Sequence, residues 1–168
     1  MTCHRYEYVK TIFVVRGAGH ASTAMASYDA ALAAANIHNY NLTTVSSVIP
    51  AEAIVEVVET APDLGPVGNQ LTVVEARMTT AETGQVAAGL GWTTGAGPGL
   101  FYEATGADPE SVRQTIDDGL SSGATLRDWS FTDRRVITET AERNPDAGEY
   151  TTVVVIAAYG ESESLFRD

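Results

Sequence analysis

Cysteine is nearly missing from this chain. Of 168 residues one, Cys3, carries a thiol, so no disulfide forms within a chain and no cysteine cluster holds a metal. Lysine is as scarce: the ten basic residues are nine arginines and Lys10, set against 22 acids, for a formal net charge of −12. That balance excludes a duplex nucleic-acid binder, which needs Lys and Arg to meet phosphates. Long apolar runs are missing too, and none approaches the roughly 20 residues that span a bilayer. The opening MTCHRYEYVKTIFVV lacks the order of basic start, apolar core and small-residue cleavage site that marks a secretory signal. Histidines never fall at metal-binding spacing, and His20 and His38 stand apart in different segments. The glycine-rich stretch 84–99 lacks the Gly-Lys-Ser/Thr ending of a phosphate loop, and Gly17-Ala18-Gly19 is too short for a dinucleotide fingerprint. These absences lead to the expectation of a cytoplasmic protein without membrane, nucleic-acid or metal partners.

What is present fits one globular domain. The apolar fraction is 44% and no composition shift divides the chain. A chain of this size buries roughly 70% of the surface it exposes unfolded. Acid-rich, lysine-poor composition is the habit of proteins from salt-loaded cytoplasm, where screening relieves self-repulsion. A halophilic source is therefore expected, with loss of structure or assembly on dialysis into dilute buffer. Circular dichroism and oligomer size check that expectation.

Along the chain, the β-branched and aromatic residues 10–16 predict a buried strand, broken by Gly17-Ala18-Gly19-His20. Residues 25–36 are Ala-rich and predict a helix, with Met25, Tyr28, Leu32 and Ala35 on one face and Asn36 as its stop. A strand over 42–49 ends at Pro50, and 54–59 alternates weakly. Residues 71–80 and 85–94 read as partner strands about the turn Glu82-Thr83-Gly84, and 100–105 as a short strand. Asp108-Pro109-Glu110 opens a second helix with Val112, Ile116 and Leu120 four apart and Gly123 closing it. Residues 134–143 and 149–159 read as a hairpin, followed by a frayed acidic tail after Gly160. The order predicts an α+β single domain with mainly antiparallel sheets and helices outside.

Two adjacent serines, Ser46 and Ser47, stand in the apolar strand after Asn41, and alone they read as ordinary hydrogen-bonded strand residues. Their surroundings say more. The stretch 27–50, SYDAALAAANIHNYNLTTVSSVIP, and the later Gly99-Leu100-Phe101-Tyr102-Glu103-Ala104-Thr105-Gly106 occur in the order found in one family. With these two stretches, and over about residues 14–159, the chain resembles the pyruvoyl-dependent arginine decarboxylases.

That resemblance implies self-cleavage between Ser46 and Ser47 into 1–46 (a β chain) and 47–168 (an α chain). The Ser47 hydroxyl would attack the Ser46 carbonyl carbon, which requires the two residues to be adjacent. The peptide becomes an ester. Elimination frees a chain ending at Ser46, and hydrolysis with loss of ammonia leaves a covalent pyruvoyl group at residue 47. An amide donor suits the oxyanion of that attack, and the resemblance puts this processing role on Asn41. The pyruvoyl ketone replaces pyridoxal phosphate, and no metal is implied. Glu103 matches the family's proton donor, a role that needs a carboxyl pKa raised by desolvation. Asp29 matches the residue that meets the substrate guanidinium, through paired charge-assisted hydrogen bonds. The implied reaction is L-arginine to agmatine and CO2. The implied fold is a four-layer α/β/β/α sandwich, and the implied assembly a homotrimer or dimer of trimers with sites between neighbours. Agmatine feeds polyamine synthesis or tRNA modification in such families.

Other readings stay open at this point. The same chemistry on another amino acid or on S-adenosylmethionine is one, and an uncleaved small-molecule-binding oligomer is another. His38 stands near the implied pocket, where family members can carry a smaller residue. Asn41-Leu42-Thr43 also spells a glycosylation sequon, though a glycan there would block the strand that cleavage needs.

Overall fold

A computed structural model of the chain describes residues 10–167, so Cys3 lies outside the described residues. Among the described residues nine strands and two helices follow one another as β1 (Thr11–Ala21), α1 (Ala24–Ala34), β2 (Asn41–Thr44), β3 (Val48–Ile49), β4 (Ile54–Val57), β5 (Gln70–Thr80), β6 (Gln85–Thr94), β7 (Gly99–Gly106), α2 (Pro109–Thr125), β8 (Asp133–Glu142) and β9 (Tyr150–Tyr159). They form a five-stranded sheet in the order β2-β5-β9-β1-β4 and a four-stranded sheet in the order β3-β7-β6-β8. Pairing is antiparallel except for β2 on β5 and β4 on β1, at the two edges of the larger sheet.

Three separate apolar clusters show that these elements stack in four layers. Val14, Val74, Val153, Val155, Leu90, Trp92 and Phe101 fill the space between the sheets. Val15, Leu71, Val154 and Ile156 meet Ala31, Leu32 and Ala35 of α1. Ala87 and Leu100 meet Val112, Ile116 and Leu120 of α2. Successive residues of one strand thus serve different cores: in β9, Val153 and Val155 point between the sheets while Val154 and Ile156 point at α1. Both faces of β9 are covered, which is why its sequence is an unbroken apolar run rather than an alternation. The α+β class and the α/β/β/α sandwich are as expected.

Several local expectations are corrected, for one physical reason: connections that look like turns within a sheet are crossings between sheets. Residues 71–80 and 85–94 are strands but not partners, since β5 pairs with β2 and β9 while β6 pairs with β7 and β8. Strands β8 and β9 likewise sit in different sheets, so no hairpin forms around Asn144. The predicted single strand over 42–49 is two strands in two sheets.

Nor do Gly17 and Gly19 break β1. A Cβ at Gly17 would strike the carbonyl oxygen of Ala31, and one at Gly19 the backbone of Ser27 and Ala31. Bare backbone there lets α1 lie close on the sheet. His20 consequently sits in β1, with Nδ1 at 2.8 Å from Thr151 Oγ1. Helix α1 is capped by Thr23, whose hydroxyl accepts from Ala26 N–H, and Asn36 takes the left-handed conformation after the last turn. Its buried side carries Ser27, Ala31, Leu32 and Ala35, while Met25 is 73% exposed. Asp108 caps α2 by accepting from Glu110 and Ser111 N–H, and the helix runs past Gly123 to Thr125. The tail is tied down instead of frayed: Glu163 exchanges backbone hydrogen bonds with Gln70, and Ser162 binds Leu64 O. No helix among the described residues is long and apolar enough to cross a membrane.

Candidate active site

The Ser46–Ser47 peptide lies in the crossing from one sheet to the other. Upstream, β2 is parallel to β5, and its last anchor is Val45 N–H on Val73 O at 2.9 Å. Downstream, β3 is antiparallel to β7 through Val48↔Leu100 and Ile49↔Gly99, and Phe101 N–H donates to Ser47 O at 2.7 Å. Packed sheets lie about 10 Å apart, and three extended residues span at most about 11 Å. The chain from Val45 to Ser47 therefore makes the crossing with little slack. Ser46 is exposed and Ser47 is partly buried.

Ser47 lines a cleft of about 580 Å³ whose floor is Leu100, Phe101 and Tyr102 and whose wall is α2 from Gly119 to Gly123, with Leu126 and Arg127 at one end. Tyr102 lies across α2 where Gly119 leaves room, since a Cβ there would strike the tyrosine ring.

Glu103 is on β7, two residues and roughly 7 Å of strand beyond Phe101. It shares Phe101's side of the strand, because side chains alternate. Its carboxyl pKa is raised by desolvation, and a backbone hydrogen bond opposes the shift. The side chain still reaches solvent. An acid that holds its proton above the ordinary carboxylate range, on the strand that grips Ser47, suits proton donation.

The other two predicted site residues lie elsewhere in the chain. Asn41 opens β2, at the end away from Ser46, and its side-chain amide donates to Gly68 O at 2.8 Å. Three strand steps, roughly 10 Å, separate it from Thr44, with Ser46 two residues further on. His38 is exposed in the turn at that same far end. Asp29 is exposed on α1, which packs on β1, β9 and β5, so both sheets separate α1 from the α2 cleft. Within one copy the structure sets Ser46 and Ser47 beside β7, the strand that carries Glu103, with Glu103 outside the cleft lining, and leaves Asp29 and Asn41 apart from them.

Contacts invisible to the sequence complete the neighbourhood. Beside Asp29, Tyr28 OH donates to Glu75 Oε2 at 2.8 Å, Arg77 pairs with Glu75 at 3.5 Å, and the Arg77 guanidinium lies 4.3 Å from the Tyr28 ring centroid. Burial and the Glu75 carboxylate push the Tyr28 hydroxyl pKa up. Tyr159, at the end of β9, donates its hydroxyl to Val48 O at 3.0 Å. Its ring packs edge-on to Phe101 at 6.2 Å, and Phe101 in turn meets Trp92 at 6.1 Å. Nothing in the sequence marks Tyr159, because its partner is a backbone carbonyl on a strand of the other sheet.

The chain's own residues fit a pyruvoyl group at position 47. The carbonyl that would remain there already accepts a backbone N–H, the adjacent hydroxyl needed to generate the group is present, and an apolar-floored cleft opens beside it. Among the described residues no three or more His, Cys, Asp or Glu side chains group as a metal site.

Comparison with known proteins accords with this geometry. A family model described as pyruvoyl-dependent arginine decarboxylase matches residues 11–164. A protein of that name from Halobacterium salinarum is 55% identical over 157 residues, covering 92% of this chain and 97% of the relative. Namesakes from Thermococcus sibiricus and Pyrococcus furiosus are 31% identical over 126 residues and 27% over 151, covering 73% and 87% of this chain and 78% and 94% of the relatives. With its sandwich, its serine pair and a match over nearly its full length, the chain belongs to the pyruvoyl-dependent arginine decarboxylase family.

Proposed function

We propose that this carboxy-lyase decarboxylates L-arginine to agmatine and CO2 after cutting its own chain between Ser46 and Ser47. The observation that carries the reading is the placement of that bond. It spans two sheets beside a cleft, with the Ser47 carbonyl gripped by Phe101 N–H and the raised-pKa Glu103 two residues along the same strand.

In the cut, the Ser47 hydroxyl oxygen bonds to the Ser46 carbonyl carbon and the Ser46–Ser47 C–N bond breaks, giving an ester and a free amine. Loss of the residue-47 Cα proton and cleavage of its Cβ–O bond release Ser46 as a carboxylate. Water then displaces ammonia. The resulting pyruvoyl group supplies the electron sink that decarboxylation requires. Phe101 N–H holds the adjoining carbonyl, the cleft walls exclude water from the substrate stem, and Glu103 delivers a proton to the carbon that has lost CO2.

Asp29 and Asn41 enter through assembly. Asp29 lies on the far side of the sandwich from the cleft and Asn41 at the end of β2 away from Ser46, so we assign them to sites built between copies. A trimer, or a dimer of trimers, would set the Asp29 of one copy against the guanidinium bound beside the Ser47 of its neighbour, and its Asn41 amide near the neighbour's scissile bond. High salt would favour that assembly: the net charge is −12, and the ion pairs among the described residues are Arg77–Glu75 and Arg134–Asp117.

A denaturing gel and a carbon-dioxide release assay test the reading together. Purified protein in high salt should resolve into fragments 1–46 and 47–168 and release CO2 from arginine faster than from lysine, ornithine, histidine or S-adenosylmethionine. A chain that stays intact and silent on all five would sink it.

A further inference from the structure

We infer that Tyr159 is a positioning residue for the self-cleaving bond: its hydroxyl, reaching across from the five-stranded sheet, holds the Val48 carbonyl and so fixes Ser47 at the edge of the four-stranded one. The inference rests on the proposal that the chain is cut at Ser46–Ser47, and it concerns how the downstream side of that bond is held.

Strand β3 is two residues long and lies at the edge of its sheet. Such a strand is weakly held on its own. In an antiparallel pair, residues alternate between pointing their backbone groups at the partner strand and away from it. Ser47 points its carbonyl at Phe101 N–H, 2.7 Å away. Val48 faces the open edge, and Tyr159 OH caps its carbonyl at 3.0 Å. Tyr159 also packs edge-on against the ring of Phe101, the residue whose backbone holds Ser47.

The contacts close a loop: Ser47 carbonyl to Phe101 N–H, Phe101 ring to Tyr159 ring, Tyr159 hydroxyl to Val48 carbonyl. Two consecutive carbonyls after the scissile bond are pinned from opposite sheets. Upstream the corresponding anchor is Val45 N–H on Val73 O. The Ser47 hydroxyl must reach the Ser46 carbonyl carbon, so the rotation of residue 47 about its own backbone decides whether attack is in line. A misplacement of about 1 Å can cost about 100-fold in rate.

Solvation alone gives no reason for this bond. Val48 is 43% exposed, so water can satisfy its carbonyl if the tyrosine hydroxyl is removed. What water cannot do is tie β3 to the other sheet. The hydroxyl remains a donor at working pH, because burial raises its pKa to about 12.

Tyr159→Phe keeps the ring on Phe101 and deletes only the tether. In high salt, with melting temperature and oligomer size as controls, its cleavage half-time on a denaturing gel should lengthen about 10- to 100-fold. A second measurement does not depend on cleavage. In the uncleavable Ser47→Ala chain, adding Tyr159→Phe should raise amide hydrogen exchange at Ile49 and at Phe101, whose N–H donates to the residue-47 carbonyl, several-fold and leave the centre of β9 unchanged. Cleavage at the wild-type rate, or unchanged exchange in β3, overturns the tether while leaving self-cleavage standing. A wild-type chain that never cuts overturns the cleavage proposal itself, and the exchange experiment then still decides whether Tyr159 holds β3.

Discussion

The two outer layers of the sandwich answer one packing problem in different ways. Each helix lies over a pair of strand glycines, Gly17 and Gly19 beneath α1, Gly89 and Gly91 beneath α2. Under α1 an added Cβ would strike helix backbone, the carbonyl of Ala31 or of Ser27. Under α2 it would strike the ends of Val112 and Ile116 side chains. Helix α1 is therefore seated backbone to backbone with nothing to give. Helix α2 rides on the methyl groups of Val112 and Ile116 rather than on its own backbone. The active parts divide along the same line. Ser47 and Glu103 stand at the four-stranded sheet, Glu103 on its inward face with Phe101, while Asp29 is on α1 and Asn41 on the edge strand β2 of the five-stranded sheet. If the proposed assembly holds, the α1 layer would present Asp29 to a neighbouring copy, while α2 walls the cleft beside Ser47.

The largest expected effect is at the cut. Ser47→Ala should leave one intact chain and no CO2 release, because no hydroxyl remains to attack. A Ser47→Ala protein that still splits after residue 46 would remove the serine from the mechanism. Glu103→Gln comes next. Decarboxylation should fall about 10²- to 10⁴-fold while the chain is still cut, as single-turnover assays on the cleaved protein would show.

Asp29→Asn tests the division between layers most directly. KM for arginine should rise about 10- to 100-fold, the scale of a lost hydrogen-bonded charge pair, with the extent of cleavage unchanged. Co-assembling Asp29→Asn with Ser47→Ala copies should restore part of the activity, since some sites would then join an intact Ser47 to a neighbour's intact Asp29. Mixed assemblies as inactive as their parents would place both groups in one copy and break the comparison.

Smaller effects concern packing and charge. Gly17→Ala should cost about 3 kcal/mol and Gly91→Ala about 1 kcal/mol by denaturant unfolding, because backbone cannot yield where a side chain can. Equal losses would mean that α1 shifts as readily as α2. The raised Glu103 pKa gives a signed pH test. The stability tied to its protonated form is fully present below the ordinary glutamate range and is lost as pH rises through the raised value. Glu103→Gln, always neutral, should match wild type in melting temperature at low pH, gain on it as pH rises from the ordinary glutamate range through the raised value, and keep a constant lead above that. A constant difference across pH would mean that the carboxyl is not desolvated.

Much of this was legible in the sequence. The α1 and α2 helices, the class and the Ser46-Ser47 pair with Glu103 downstream all follow from periodicity, capping residues and family likeness. Pairing was not legible. Glu82-Thr83-Gly84 and Asn144–Gly148 carry ordinary turn chemistry, and turn chemistry fixes a local reversal without saying whether the next strand returns to the same sheet or crosses to the other. The glycines of β1 misled for a related reason: a glycine that frees the backbone and one that admits a helix look alike until the helix is in place. Tyr159 and the Phe101 amide were silent because their partners are main-chain carbonyls far off in sequence.

By itself, then, the sequence determined the inventory: which strands are buried on both faces, where the helices begin, which two serines stand side by side, and how much negative charge the fold must carry. The tertiary structure decided placement. It alone put the Ser46–Ser47 bond in the gap between two sheets, gripped Ser47 from Phe101 and Val48 from Tyr159, and left Asp29 on the outer helix and Asn41 at the far end of β2. The physical reason is range. Periodicity, caps and turns act over a few residues, whereas the contacts on either side of the Ser46–Ser47 bond, from Val73, Phe101 and Tyr159, come from other strands far along the chain, and only the packing of two sheets brings them within reach.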